Sequence, residues 1–214
     1  DDVVDAFCAK SIENGIDIIR IFDALNDVRN LEQAIKSTKK YGGQVEATLS
    51  YTISPIHNED YFVKLGRELE EMGADALCIK DMANLLLPMD AYSLVKRLKE
   101  TVSIPIHLHT HNTSGTGDMV YLMAAMAGVD IVDCAIGPLS SLTSQPSINS
   151  LVEALRGTER DTGLDPVGLQ KLSDYWSDIR ERYASFDKGL RVPVTDIYRY
   201  EIPGGQYTNL QPQV

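Results

Sequence analysis

Short apolar runs alternate with amphipathic stretches of helical period along most of the chain. The apolar runs start roughly 30 residues apart and are rich in aliphatic residues, which is typical of repeating strand–helix units. The predicted strands are Ile16–Phe22, Gln44–Tyr51, Ala76–Lys80, Ile104–His111 and Ile131–Ile136. The predicted helices between and after them are Val28–Tyr41, Glu59–Met72, Pro88–Thr101, Thr116–Ala127 and Ile148–Arg156.

Proline and glycine support these helix boundaries. Pro88 stands where the first turn of a helix tolerates proline. Gly42, Gly73 and Gly128 follow the periodic stretches, where the end of a helix favours a left-handed residue. The strand runs are nearly continuous in apolar character, which predicts strands buried on both faces of a parallel sheet.

Five such units fit either an open doubly wound sheet or part of an eight-stranded barrel. No GxGxxG or GxxxxGK[ST] motif follows any strand, so the nucleotide-binding forms of the open sheet lose support. Polar residues stand instead at the carboxyl ends of four predicted strands: Asp23, Thr52, Lys80 with Asp81, and His109 with His111. Because this is the catalytic edge of a barrel, we predict a TIM (β/α)8 barrel with only about strands 4–8 present.

The pattern changes after residue 160. Leu169–Tyr183 predicts a helix, and the segment after Arg191 is rich in Pro, Gly, Tyr and Gln. We expect residues 1–160 to form a partial barrel and residues 161–214 to form a C-terminal extension that starts a helical region. A full barrel needs about 250 residues, so we also expect the missing strands to lie upstream in a longer protein.

The composition argues against several classes of partner. The net charge of −11 disfavours binding to nucleic acid phosphates or to an anionic membrane. No apolar run approaches the ~20 residues of a membrane span. Cys8, Cys78 and Cys134 form no CxxC pair, which predicts three reduced, mostly buried thiols in an intracellular protein.

Three of the four histidines alternate along one strand, at His107, His109 and His111. Their side chains are therefore expected on the same side of the strand, with neighbouring Cα atoms roughly 7 Å apart. A single histidine here would most simply be a hydrogen-bonded core residue. Three in register at a barrel edge favour metal binding, because imidazoles at this spacing can converge on one ion.

Lys80 ends an apolar strand and has two interpretations. It can form a salt bridge to Asp81 or to another carboxylate at the barrel edge. Alternatively, a lysine in a dry site has a lowered pKa and can be a neutral amine. Such an amine can take up CO2 as a carbamate, whose carboxylate-like head binds a cation.

Other polar residues near the predicted edge also have alternative roles. Thr143 can face the edge and relay a proton, whereas Ser144 and Ser147 are more simply helix caps. Asp23 can orient a neighbouring residue or form an ion pair with Arg20 or Arg29. His57 is most simply a loop histidine.

Four motifs together resemble the biotin-dependent carboxyltransferase family, which includes pyruvate carboxylase, the oxaloacetate decarboxylase α subunit and the transcarboxylase large subunit. These motifs are RIFDALND, CIKDMAN, HLHTHNTSG and LTSQPS, and they occur in the family's order across the chain. The segments SDYW and EIPGGQYTNL are most similar to the pyruvate carboxylase branch.

The resemblance implies a carboxyl transfer from carboxybiotin to pyruvate, giving oxaloacetate. It implies that Lys80 is carbamylated and that Lys80, His109 and His111 hold a divalent metal, Zn or Mn. Lys80 and Thr143 are then the catalytic residues, and Thr143 moves a proton between pyruvate and biotin. The implied partners are a biotin carrier domain and a biotin carboxylase domain or subunit in a homo-oligomer, located in a bacterial cytoplasm or a mitochondrial matrix.

The chain departs from the family pattern in three respects. The family's remaining metal ligand, an aspartate on the first strand, and its arginine for the pyruvate carboxylate are absent from these residues. Asn112 stands where many relatives have Asp, which puts the orientation of the histidines in doubt. We therefore expect the 214 residues alone to be inactive.

Two enzymatic alternatives remain open, together with a non-enzymatic one. The oxaloacetate decarboxylase α subunit runs the transfer in reverse, and a lyase similar to hydroxymethylglutaryl-CoA lyase shares the HxH strand. The lysine of CIKDMAN and the TSQP segment argue against the lyase. The non-enzymatic alternative is a structural or interaction fragment.

Overall fold

Five parallel strands form one sheet in the order in which they occur along the chain. The computed structural model describes residues 1–187, 189–210 and 213. The strands are β1 (Ile18–Ile21), β2 (Gln44–Ser50), β3 (Ala76–Asp81), β4 (Ile106–Thr110) and β5 (Ile131–Val132), in spatial order β1-β2-β3-β4-β5. A doubly wound sheet would reverse its strand order, whereas sequential order is that of a barrel. The prediction of a partial barrel is therefore confirmed.

Helices alternate with the strands, and further helices follow the sheet in the C-terminal region. They are α1 (Asp2–Glu13), α2 (Glu32–Lys40), α3 (Glu59–Glu71), α4 (Pro88–Thr101), α5 (Gly117–Ala127), α6 (Ile148–Leu155), α7 (Pro166–Arg182), α8 (Ile197–Tyr200) and α9 (Gly204–Leu210). Gly128 ends α5 with φ 99°, and Gly42 and Gly73 also have positive φ just beyond α2 and α3. These glycines stop the helices as predicted.

Several boundaries differ from the prediction by a few residues, and two of the differences have identifiable reasons. A short 3-10 turn, Val28–Asn30, precedes α2, because the Asp27 side chain accepts the Arg29 N–H and holds a turn there. The strand β5 ends at Val132 rather than at Ile136. The backbone beyond it turns towards α6, and the Ile148 N–H donates to the Ala135 carbonyl.

The two faces of the strands differ in chemistry. Val45, Ala47 and Leu49 of β2 are fully buried in the apolar layer beneath the helices. The residues between them, including Glu46 and Thr48, are also buried, and they face the barrel interior with a polar surface. The interior of the sheet is therefore polar, although the runs look uniformly apolar in sequence.

The segment after α6 packs along the barrel through α7. Asp165 begins α7 by accepting the Val167 and Gly168 N–H groups, both at 3.0 Å. Ser173, the buried residue of α7, accepts a hydrogen bond from Asn149 of α6. Leu172 and Tyr175 of this helix are more than half exposed.

No helix in the described part of the chain has the length and apolar character to cross a membrane. The cysteines at positions 8, 78 and 134 are free. Burial raises the pKa of Cys78 to about 12, so its thiol stays protonated at neutral pH. The division into a partial barrel (1–160) and a C-terminal extension (161–214) remains a prediction. Four residues of that extension lie outside the described residues, namely Lys188, Gln211, Pro212 and Val214.

Candidate metal centre at the mouth of the barrel

Lys80 and His109 lie side by side at the carboxyl edge of the sheet. The strand register pairs Lys80 of β3 with His109 of β4, and adjacent strands are about 4.8 Å apart. His111 follows the end of β4, and its ring centroid is 5.2 Å from that of His109, with the ring planes nearly perpendicular. The structure therefore brings together all three residues that were predicted as metal ligands.

Hydrogen bonds orient both imidazoles in the same way. His109 Nδ1 is 2.8 Å from the Asp133 carboxylate, and His111 Nδ1 is 2.6 Å from the Thr143 carbonyl oxygen. Because both partners are acceptors, each Nδ1 carries a proton, and the lone pair of such a ring in its neutral form lies on Nε2. Burial lowers the pKa of His111, which favours this neutral form. Both rings can therefore act as nitrogen ligands.

Lys80 forms no salt bridge with any residue that the structure describes. Burial lowers its pKa, and Nζ lies 4.8 Å from the centre of the Phe22 ring. Asp81, the predicted salt-bridge partner, faces away and accepts hydrogen bonds from Leu85 N–H, Leu86 N–H and Thr110. The salt-bridge interpretation of Lys80 and Asp81 was wrong, because successive side chains of a strand point to opposite faces.

A cleft of about 630 Å³ opens over this cluster and is lined by Lys80, His111 and Phe22, among other residues. The C-terminal segment forms its opposite wall through Glu201, Gln206 and Asn209. Gly204 packs so closely beside it that a Cβ there would lie 3.2 Å from Thr113 Oγ1.

Thr143 reaches the cluster through its backbone. Its carbonyl holds His111, whereas the residue lines a separate depression of about 370 Å³ together with Leu139, Arg180 and Tyr183. The two residues before it, Ser141 and Leu142, have left-handed φ values of 71° and 55°. Non-glycine residues in this conformation cost roughly 1–3 kcal/mol each, and they concentrate at functional sites.

A buried ionic network lies directly beneath the cluster. Arg20 of β1 contacts Glu46 of β2 and donates to Asp133 at 2.8 Å. His107 bridges the same two carboxylates through its two ring nitrogens. Burial lowers the pKa of His107, but the two carboxylates outweigh that effect and raise the pKa to about 8. His107 is thus a buried residue beneath the predicted ligands.

Three other candidates take structural positions. Asp23 accepts the N–H groups of Leu25 and Asp27, at 2.9 and 3.0 Å. Both ion pairs predicted for Asp23 were wrong, because Arg20 turns into the barrel and Arg29 pairs with Asp27. Backbone N–H groups of its own loop therefore supply the hydrogen bonds of the Asp23 carboxylate.

Asn112 also proves to be structural. Its side chain accepts the Gly117 N–H at 2.9 Å and donates to Asp118, both at the start of α5. It therefore positions a helix and does not orient the histidines. His57 is a loop histidine as predicted, bonded to Ser54 at 2.7 Å, and Ser147 caps α6.

Asp133, Glu46 and Arg20 are the residues that sequence reasoning missed at this site. Asp133 seemed to lie inside the fifth strand, yet β5 ends one residue before it. Its carboxylate therefore stands at a strand end, as Lys80 does in β3. The signal available in the sequence was the charged residue that interrupts each of these three apolar runs, at a position that alternation places inside the barrel.

The donor chemistry of the cluster fits a divalent cation. Among the described residues, no three His, Cys, Asp or Glu side chains come together as potential metal ligands. A carbamate on Lys80 would supply a carboxylate oxygen beside the two Nε2 atoms. Two imidazoles with oxygen ligands suit Zn²⁺ or Mn²⁺.

The HMGL-like family model matches residues 17–175 of the chain. The chain belongs to the HMGL-like family. Within it, the chain is 52% identical to a pyruvate carboxylase subunit of Methanocaldococcus jannaschii, matching all of this chain and 38% of that protein. It is 44% identical to the pyruvate carboxylase of Bacillus subtilis, matching all of this chain and 19% of that protein.

The structure of this HMGL-like chain also matches a solved domain. It aligns with the carboxyl transferase domain of Rhizobium etli pyruvate carboxylase, determined with pyruvate, at a TM-score of 0.97 and 43% identity. The alignment covers 99% of this chain and 37% of the other. The similarity to biotin-dependent carboxyltransferases is therefore confirmed, although the chain spans well under half the length of these relatives.

Proposed function

We propose that the chain forms part of a carboxyltransferase site that moves a carboxyl group from carboxybiotin to pyruvate and gives oxaloacetate. The cluster of Lys80, His109 and His111 carries this proposal. It places a buried amine and two oriented imidazoles at the open end of a parallel barrel, the edge that holds active sites in this fold. The similarity to pyruvate carboxylases and to a carboxyl transferase domain supports the same reaction.

Lys80, His109 and His111 would hold the divalent metal. The lysine reacts in its neutral form: the Nζ lone pair forms an N–C bond to CO2, a C=O π pair becomes a carboxylate lone pair, and one N–H proton leaves to solvent. The lowered pKa of Lys80 favours the neutral amine that this step requires. When bound, the metal supplies a Lewis acid for the keto-acid oxygen.

Thr143 would carry the proton between the pyruvate methyl group and the biotin nitrogen. Its hydroxyl both donates and accepts, so it can pass a proton without holding a charge. The contact of its carbonyl with His111 Nδ1, at 2.6 Å, supports this role because it places the residue next to the cluster. Biotin would bring the carboxyl group from a carrier domain, charged by a biotin carboxylase domain or subunit.

The decisive experiment uses the full-length protein together with any partner subunits. Oxaloacetate should form from pyruvate, bicarbonate and ATP, and avidin should block the reaction by sequestering biotin. Zinc or manganese should be found bound to the protein by elemental analysis. Decarboxylation of oxaloacetate without carboxylation of pyruvate would favour the decarboxylase alternative, and avidin-resistant cleavage of an acyl-CoA would favour the lyase.

Removal of the Thr143 hydroxyl gives a direct test of the proton relay. Thr143→Ala is expected to lower kcat for oxaloacetate formation about a hundredfold, which is typical for loss of a positioned proton-transfer group. Metal content should not change, because the backbone carbonyl still holds His111. Thr143→Ser should restore most of the activity, and Ser144→Ala serves as the neighbouring control. Full activity in Thr143→Ala would contradict the role.

A further inference from the structure

The Asp133 carboxylate contacts both a predicted metal ligand and the ionic network below it. One oxygen, Oδ2, is 2.8 Å from His109 Nδ1 and 2.8 Å from an Arg20 nitrogen. The other oxygen, Oδ1, is 2.8 Å from His107 Nε2. We propose that Asp133 is a positioning residue that fixes the ring of His109 for metal binding. This inference rests on the carboxyltransferase function proposed above.

The backbone of Asp133 is itself held firmly against β4. Its N–H donates to the Leu108 carbonyl at 3.2 Å. Its carbonyl accepts from the Tyr121 hydroxyl at 2.5 Å, and the same hydroxyl accepts the Thr110 N–H at 3.1 Å. Tyr121 is fully buried, and these two hydrogen bonds link the end of β5 to the end of β4. The backbone from which the Asp133 carboxylate projects is therefore fixed in position.

The side-chain contacts of Asp133 then leave it little freedom to turn. Three donors, two imidazoles and a guanidinium, occupy its two oxygens. All three groups donate N–H hydrogen bonds, and the carboxylate accepts each of them. The hydrogen bond from His109 Nδ1 directs the lone pair of that ring outward on Nε2.

Glu46 provides a matched comparison within the same network. Its carboxylate contacts Arg20 and His107, as the Asp133 carboxylate does, and its side chain is 7% exposed, against 33% for Asp133. It has no hydrogen bond to His109 among the described residues. Loss of charge at Glu46 therefore disturbs the contacts to the same two partners, but it leaves the ligand untouched.

The test compares Asp133→Asn with Glu46→Gln in the full-length protein. Metal-free samples are titrated with Co²⁺, whose visible absorbance reports the coordination, and thermal unfolding of the metal-free forms measures stability. We expect Asp133→Asn to weaken Co²⁺ binding by about 10–100-fold and to alter the spectrum, as for other groups that orient metal-binding histidines. We expect Glu46→Gln to bind Co²⁺ within threefold of the wild type, although it also lowers the stability.

Three outcomes would overturn the inference. Asp133→Asn can bind Co²⁺ as tightly as the wild type, or Glu46→Gln can weaken binding equally; either result leaves the proposed function standing. A wild-type protein that binds no Co²⁺ at this site would instead overturn the proposed metal centre, and this inference with it.

A spectroscopic measurement decides the question if Asp133→Asn does not fold. Pulsed EPR of the Cu²⁺-loaded wild type reports the hydrogen bond of each non-coordinating imidazole nitrogen. Two distinct nitrogens are expected, one bonded to a carboxylate and one to a carbonyl. A single class with the signature of a solvent-exposed imidazole would refute the role of Asp133.

Discussion

Replacement of Lys80 by methionine is expected to reduce oxaloacetate formation by the full-length protein about a thousandfold or more, which corresponds to ~4 kcal/mol of transition-state stabilisation. Methionine keeps an unbranched chain of similar length, so it fills the cleft without supplying a nitrogen for the carbamate. Bound metal should fall together with activity, because the described residues then offer only His109 and His111. Steady-state kinetics and elemental analysis measure both effects.

Lys36→Met provides the control for this substitution. Lys36 is an exposed lysine of α2, 71% accessible, that pairs with Glu32 one helical turn away. Exposed pairs of this kind contribute well under about 1 kcal/mol, so activity and metal content should match the wild type. A Lys80→Met protein that keeps a tenth of wild-type activity would rule out the carbamate as a catalytic group.

Arg20→Met is expected to lower the free energy of unfolding by about 3 kcal/mol, near the lower end of the cost of breaking a buried ion pair. Arg20 is the cation shared by Glu46 and Asp133, whose side chains are 7% and 33% exposed. Its removal leaves two carboxylates facing each other across His107. We place the cost near the lower end because 27% of the Arg20 side chain is accessible.

Urea titration measures the change in the free energy of unfolding. Hydrogen exchange of the β2 amides shows whether the loss of stability lies at the strand that carries Glu46. Arg29→Met is the matched control, because Arg29 also pairs with an aspartate but is 82% exposed. Its substitution should change stability by less than about 1 kcal/mol. Equal effects of the two substitutions would show that the network contributes no more than a surface pair.

Most of the fold follows from local sequence patterns. Helix ends at Gly42, Gly73 and Gly128 were predictable because positive φ strongly favours glycine. Strand starts were predictable because buried parallel strands need apolar runs. The early end of β5 was not, because Ala135 and Ile136 continue the apolar run and only the packing of α6 turns the backbone away there.

The candidate site was predictable only in part. His109, His111 and Lys80 stand at recognisable strand ends, and the register that aligns Lys80 with His109 followed from the parallel sheet. The roles of Arg20 and Asp133 depend on a contact between residues 113 positions apart. Many carboxylates are available to any one arginine in the sequence, and only the curvature of the sheet selects this one.

The hydrogen-bond partners of the two imidazoles differ in how mutation can change them. His109 depends on one encoded carboxylate, so a single codon change at Asp133 removes its support. His111 is held by a peptide carbonyl, which every amino acid possesses. Selection or protein engineering can therefore explore side chains at position 143 to alter reactivity while this second anchor survives, whereas position 133 offers no such freedom.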